Sequence, residues 1–157
     1  MHPMWLMGLT SWLPNSQTNY PVLAWAQPIQ EDVSLGAEYG QPTLLNEKIF
    51  VGVSSSPGVL VFEESTGAQL DLYTTEASVQ SQPLMFGDTM FVADTSGVVY
   101  AFERSSKKLL WSRPTNSPIM SNMVYQEESI VVSTVDNAVY RLSTDGELIW
   151  RHQYEAK

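Results

Sequence analysis

The sequence predicts an all-β chain: a partial β-propeller of about three four-stranded antiparallel blades, with one extra strand ahead of them. Three observations carry this expectation. Apolar segments recur about every 40 residues from residue 41 onward. Each recurring unit breaks into short β-branched and aromatic runs separated by turn residues, which is the pattern of strands. No stretch sustains a 3.6-residue apolar period, so almost no helix is expected.

The repeat has a definite register. Ile49-Phe50-Val51 aligns with Met90-Phe91-Val92 and Ile130-Val131-Val132. Leu60 aligns with Tyr100 and Tyr140, and Leu109-Leu110-Trp111 with Leu148-Ile149-Trp150. Pro42 and Pro83 open two of the units in the same way. These matches divide the chain into blades at 41–77, 82–115 and 117–154. The middle unit is the clearest, with strands expected at 82–86, 89–93, 98–104 and 109–113. Gly87-Asp88, the DTSG run at 94–97 and residues 105–108 supply its turns. Asp and Ser bond back to nearby amides in such turns, and Gly58 and Gly97 take positive φ at little cost. Four short strands in about 40 residues make one propeller blade.

A single blade cannot bury both of its faces, so blades must stack. Phe62, Phe102 and Leu142 share one repeat position, and Leu60, Tyr100 and Tyr140 another; both sets are expected to pack between blades. Trp111 and Trp150 are expected to cover the seam to a neighbouring blade.

Residues 1–30 contain no Lys, Arg, Asp or Glu. The 1–20 stretch reads as an apolar, uncharged tail bearing Trp5 and Trp12, a composition poorly suited to standing free in water. Two readings of the next residues stand. Ala24-Trp25-Ala26 fits the cleavage site of a signal peptide ending at residue 26, although the positive leader is missing. Alternatively, residues 21–30 are an isolated outer strand of a preceding blade. LAWAQP at 23–28 matches LLWSRP at 109–114 position for position, which favours this second reading and gives Trp25 the role of Trp111.

Composition narrows the function classes. The chain has 157 residues, 43% hydrophobic and 16% charged, which is globular. A net charge of −9 argues against a nucleic-acid or anionic-membrane partner. Residues 31–80 are strongly acidic, whereas 81–157 are close to balanced. The absence of Cys excludes disulfides, thiol catalysis and thiolate metal sites. No apolar run approaches the roughly 20 residues of a membrane-spanning helix.

The run TMFVADTSGVVYAFERSSKKLLW at 89–111 resembles the PQQ-like, or quinoprotein-type, propeller repeat. The unit at 129–150 follows the same pattern, with Asn137 where the turn Gly falls and Asp145-Gly146 in its last turn. The unit at 48–71 keeps Thr66-Gly67 but has Asp71 where the Trp is expected. The resemblance implies a propeller and an extracytoplasmic setting, in the periplasm or envelope of a bacterium. It implies three functional possibilities: a non-enzymatic scaffold like the outer-membrane assembly propellers, a piece of a PQQ-dependent dehydrogenase, or a ligand-sensing envelope domain.

The chemical readings favour the scaffold. A quinoprotein site needs residues from many blades around the axis, and a Ca²⁺ with about six to eight oxygen ligands. Three blades supply about half a ring. Asp94, Asp136 and Asn137 lie at equivalent turns and read as turn caps before cation ligands. His2 and His152 are isolated. Glu63-Glu64 and Glu127-Glu128 read as hairpin ends, since adjacent strand residues face opposite ways. Lys107-Lys108 is a turn pair too small for nucleic acid. No catalytic, cofactor-binding or metal-binding residue is therefore assigned, and no cofactor is expected. The expected partner is a protein, or a second copy of the chain, that completes the ring.

Overall fold

The structure, a computed structural model, describes residues 40–155. The tail at 1–20 and the expected strand at 21–30 lie outside the described residues. Twelve strands and no helix are found among the described residues. The first sheet is β1 (Thr43–Leu45), β2 (Lys48–Gly52), β3 (Pro57–Glu63) and β4 (Gln69–Ser78). The second is β5 (Leu84–Phe86), β6 (Thr89–Ala93), β7 (Val98–Glu103) and β8 (Lys108–Pro114). The third is β9 (Val124–Gln126), β10 (Ser129–Ser133), β11 (Ala138–Ser143) and β12 (Leu148–Gln153). Each sheet is a four-stranded antiparallel meander in chain order, which is the form of a propeller blade. The fold is thus all-β, a partial propeller.

Register places equivalent residues on equivalent faces. Ile49 stands opposite Phe62, Met90 opposite Phe102 and Ile130 opposite Leu142. A bulge then interrupts the pairing of third and fourth strands at the same repeat position in every blade, after Val61, Ala101 and Arg141. Just before it, those residues face Asp71, Trp111 and Trp150 across the ladder.

Two apolar layers separate the three blades. Phe50, Val59, Val61 and Tyr73 of the first blade pack on Met90, Val92, Tyr100 and Phe102 of the second. The other face of the second blade, with Phe91, Ala93, Val99 and Ala101, packs on Ile130, Val132, Tyr140 and Leu142. Tyr100, Phe102, Tyr140 and Leu142 therefore lie between blades, as the repeat predicts. Leu60 and Phe62 join Val53 in a third cluster on the far face of the first blade.

The connecting segments latch each blade to the next with the same bonds. Thr95 N–H donates to the Ser78 carbonyl, and Val135 N–H to that of Pro118. Within the second and third blades, Thr115 N–H donates to Gly97 O and Tyr154 N–H to Asn137 O, which ties the end of the fourth strand to the turn between the second and third. The Ser81 hydroxyl donates to Ala93 O, and that of Ser121 to Ser133 O.

Candidate interaction site at the blade seams

Among the described residues, polar side chains gather in three places. The first is the start of the innermost strands. Gln41, Gln82 and Asn122 hold one repeat position. Asn122 Oδ1 accepts from Gln82 N–H at 2.8 Å, and Asn122 Nδ2 donates to Gln41 Oε1 at 3.4 Å. Gln82 Nε2 donates to Pro42 O at 3.2 Å, and Thr43 Oγ1 donates to Pro83 O at 2.6 Å. This amide chain ties the three blades together at their inner ends. Sequence reasoning missed it, although Gln-Pro at both 41–42 and 82–83 was its signal.

The second place is Asp94, which is fully buried. Its Oδ1 accepts from Ser96 N–H at 3.0 Å, Ser96 Oγ at 2.7 Å and Val98 N–H at 3.0 Å. Its Oδ2 accepts from Tyr100 Oη at 2.9 Å and from Ala77 N–H, in the preceding blade, at 3.1 Å. Burial pushes the Tyr100 hydroxyl far above its ordinary value, so it keeps its proton and donates. Both carboxylate oxygens are thereby committed to closing a turn and joining two blades. In the third blade the residue at this place is Thr134, while Asp136 aligns with Ser96 and Asn137 with Gly97. The turns are equivalent; the acids are not. A hydrogen bond from the Thr134 hydroxyl holds the Asp136 carboxyl below the usual range. Among the described residues no group of three His, Cys, Asp or Glu is placed to hold a metal ion.

Glu127 and Glu128 need a correction. Both have positive φ, at 49° and 56°, and together they form the two-residue turn between β9 and β10. They are not strand residues, so strand alternation does not orient them. Glu127 reaches Arg141 at 3.4 Å. Lys107 and Lys108 also divide: Lys107 lies in a turn with φ 61°, while Lys108 begins β8. His152 packs edge-on against Tyr154, with centroids 4.7 Å apart, and His2 lies outside the described residues.

The third place is the pair of seams at the end of the blades where β1 turns into β2. Between the second and third blades, Trp111 covers the seam as expected. Its Nε1 donates to Thr144 O at 2.8 Å, and its ring lies over Gly146, where an added Cβ would come within 2.6 Å of the indole. Arg113 Nε donates to Gly146 O at 2.5 Å. Between the first and second blades the lock is built differently. Asp71 replaces the Trp, and Lys107 replaces the Gly and donates to it at 2.9 Å. The aromatic donor moves two residues along β4 to Tyr73, whose hydroxyl donates to Arg104 O at 3.1 Å. Arg104 O is the repeat equivalent of Thr144 O. The Lys107 ammonium holds Asp71 below the usual carboxylate range, and Asp71 in turn raises Lys107. Burial raises Tyr73.

Each seam leaves a groove. The first, of about 300 Å³, has an apolar floor of Phe50, Val61 and Tyr73 and a rim that includes Lys48, Asp71, Asp88, Arg104 and Lys107. The second, of about 490 Å³, is floored by Phe91 and Trp111 and rimmed by Phe86, Glu128 and Asp145. Phe86 stacks on Tyr125 beside it at 4.0 Å. These arrangements offer contact surface and hydrogen-bonded caps, with no nucleophile and base brought together.

Solved structures share this architecture. BamB from Moraxella catarrhalis matches with a TM-score of 0.61 at 18% identity, over 73% of this chain and 36% of that one. The computationally designed Ika8 protein matches at 0.65 and 14% identity, over 76% of this chain and 37% of its own. The designed Ika4 protein matches at 0.64 and 14% identity, over 79% and 77%. At these identities the likeness is one of fold. The chain spans little more than a third of the Moraxella protein. No curated protein matches the sequence. Residues 22–157 match the family described as outer membrane protein assembly factor BamB, and the chain belongs to that family.

Proposed function

We propose that the chain is a non-catalytic propeller module that works as a protein-interaction scaffold in the bacterial envelope, as part of a larger or self-associated propeller. The observation that carries this reading is the outer face of the third blade. Trp150 is 41% exposed, and Val131 and Val139 on the same face are only half-buried, whereas their counterparts Trp111, Phe91 and Val99 are seated against the next blade. An apolar, Trp-bearing blade face of this kind is a surface to be covered. The family's description as an assembly factor supports a scaffold, and the turn-capping use of Asp94 supports a structural role for the most buried acid among the described residues. At the other end, residues 21–30 supply the outer strand of a preceding blade in this reading.

Light scattering on the purified full chain tests the reading. The expected result is a discrete oligomer, or a chain that becomes monodisperse only with a partner protein. A stable, monodisperse monomer that binds no hydrophobic dye would overturn it.

A further inference from the structure

The two seam grooves are the same place in the fold, 40 residues apart, yet they carry opposite charge. Lys48 of the first becomes Thr89 in the second, Arg104 becomes Thr144, and Ser105 becomes Asp145. The fold therefore does not need these cations, since the sister seam closes without them. Three of the eight Lys and Arg residues in a chain of net charge −9 line the first groove. Lys107 is taken by Asp71, and Arg104 lies 3.7 Å from Asp88 while its buried Nε has no acceptor. Lys48 stands exposed on the rim with no ion partner among the described residues. The groove opens beside β4, the outermost strand of its sheet and, at ten residues, the longest strand described; Leu70 and Leu72 on it are exposed. A free strand edge accepts an extended chain by main-chain hydrogen bonding, and a neighbouring pocket then selects side chains.

We propose that the first seam groove docks an extended, acidic segment of a protein partner. The segment lies along β4 and places an apolar side chain on the Phe50–Tyr73 floor and a carboxylate against Lys48. The floor takes the apolar group, and the locally positive rim of an otherwise acidic molecule selects the charge. This site specifies, and rests on, the scaffold reading above.

The test is an NMR titration of the isotope-labelled full chain with two capped tripeptides, Glu-Phe-Glu and Lys-Phe-Lys. The acidic peptide is expected to give saturable shifts confined to β4, Lys48 and the 104–107 turn, weakening as salt is raised. The basic peptide is expected to give none. Lys48→Thr, which installs the residue of the sister groove at an exposed strand end, is expected to weaken the acidic peptide about fivefold, the size of a rim charge contact. Equal response to both peptides, shifts elsewhere, or full affinity in K48T would overturn the proposal. Failure of this docking with the oligomer intact would count against the groove alone. A dye-silent monomer that still bound the acidic peptide would count against the assembly reading alone.

Discussion

Asp94 shows how much of this molecule depends on single side chains that span two elements. A buried carboxylate without a cation is stable only when its lone pairs are filled, and here five donors fill them. Asp94→Ala leaves three backbone N–H groups and the Tyr100 hydroxyl without their acceptor, and is expected to cost about 3 kcal/mol or more. Thr134→Ala at the equivalent place removes one hydroxyl and should cost about 1 kcal/mol. Denaturant midpoints of the two variants against the parent check the difference; equal costs would mean that Asp94 does no more than cap its turn. The capping role was legible in the DTSG run, because Asp before Ser and Gly is turn chemistry. The bond to Ala77 was not, since nothing in the local sequence places a residue of the preceding blade within reach.

At the level of elements, strands were read well and turns less so. β6 occupies 89–93 as expected, and β7 and β8 differ from expectation by a residue at their ends. Runs of β-branched and aromatic residues between turn residues mark the strands, β6 and β7 being buried on both faces, whereas a turn is defined by φ, which a Glu-Glu pair does not announce. Two consecutive left-handed residues match the twist of a hairpin, but L side chains resist them. Replacing Glu127-Glu128 with Asn-Gly is expected to raise stability by about 1 kcal/mol, read as a higher denaturant midpoint at unchanged slope. A fall in midpoint would show that the Glu127–Arg141 contact outweighs the strain. The first seam adds a second lesson. Asp71 was visible as a departure from the repeat, but its compensation needs two further residues, Tyr73 and Lys107. Lys107 can be found from sequence only by aligning the turns, where it falls on Gly146.

Across the whole molecule the two seams should answer differently to pH and salt. Asp71 titrates below 3.8 in the folded chain, so its stabilising contribution is complete above the unfolded value and is lost as pH falls through the folded one. Lys107 titrates above 10.5, so its contribution is complete below that value and is lost as pH rises through the folded one. The ion pair therefore holds the first seam between those limits. The stability difference between parent and Lys107→Met should be present at neutral pH, shrink in high salt, and vanish in acid once Asp71 is protonated. A difference independent of pH would assign the effect to packing by the Lys107 stem. The second seam, closed by an indole and a glycine, should show none of this. Among the described residues the number and order of the blades and the two layers between them were legible, because a 40-residue period in apolar residues leaves few alternatives. The seam grooves were not, because they are made of residues from two blades and belong to neither.

The latches between blades have a mechanical meaning. Beyond the apolar layers, neighbouring blades are joined by the same bonds between connector and turn, found 40 residues apart. Load applied along the chain meets these bonds in series. Under tension the molecule would yield one blade at a time, each step releasing about 140 Å of chain for about 40 residues, so that it behaves as an extensible tether whose unit of give is the blade.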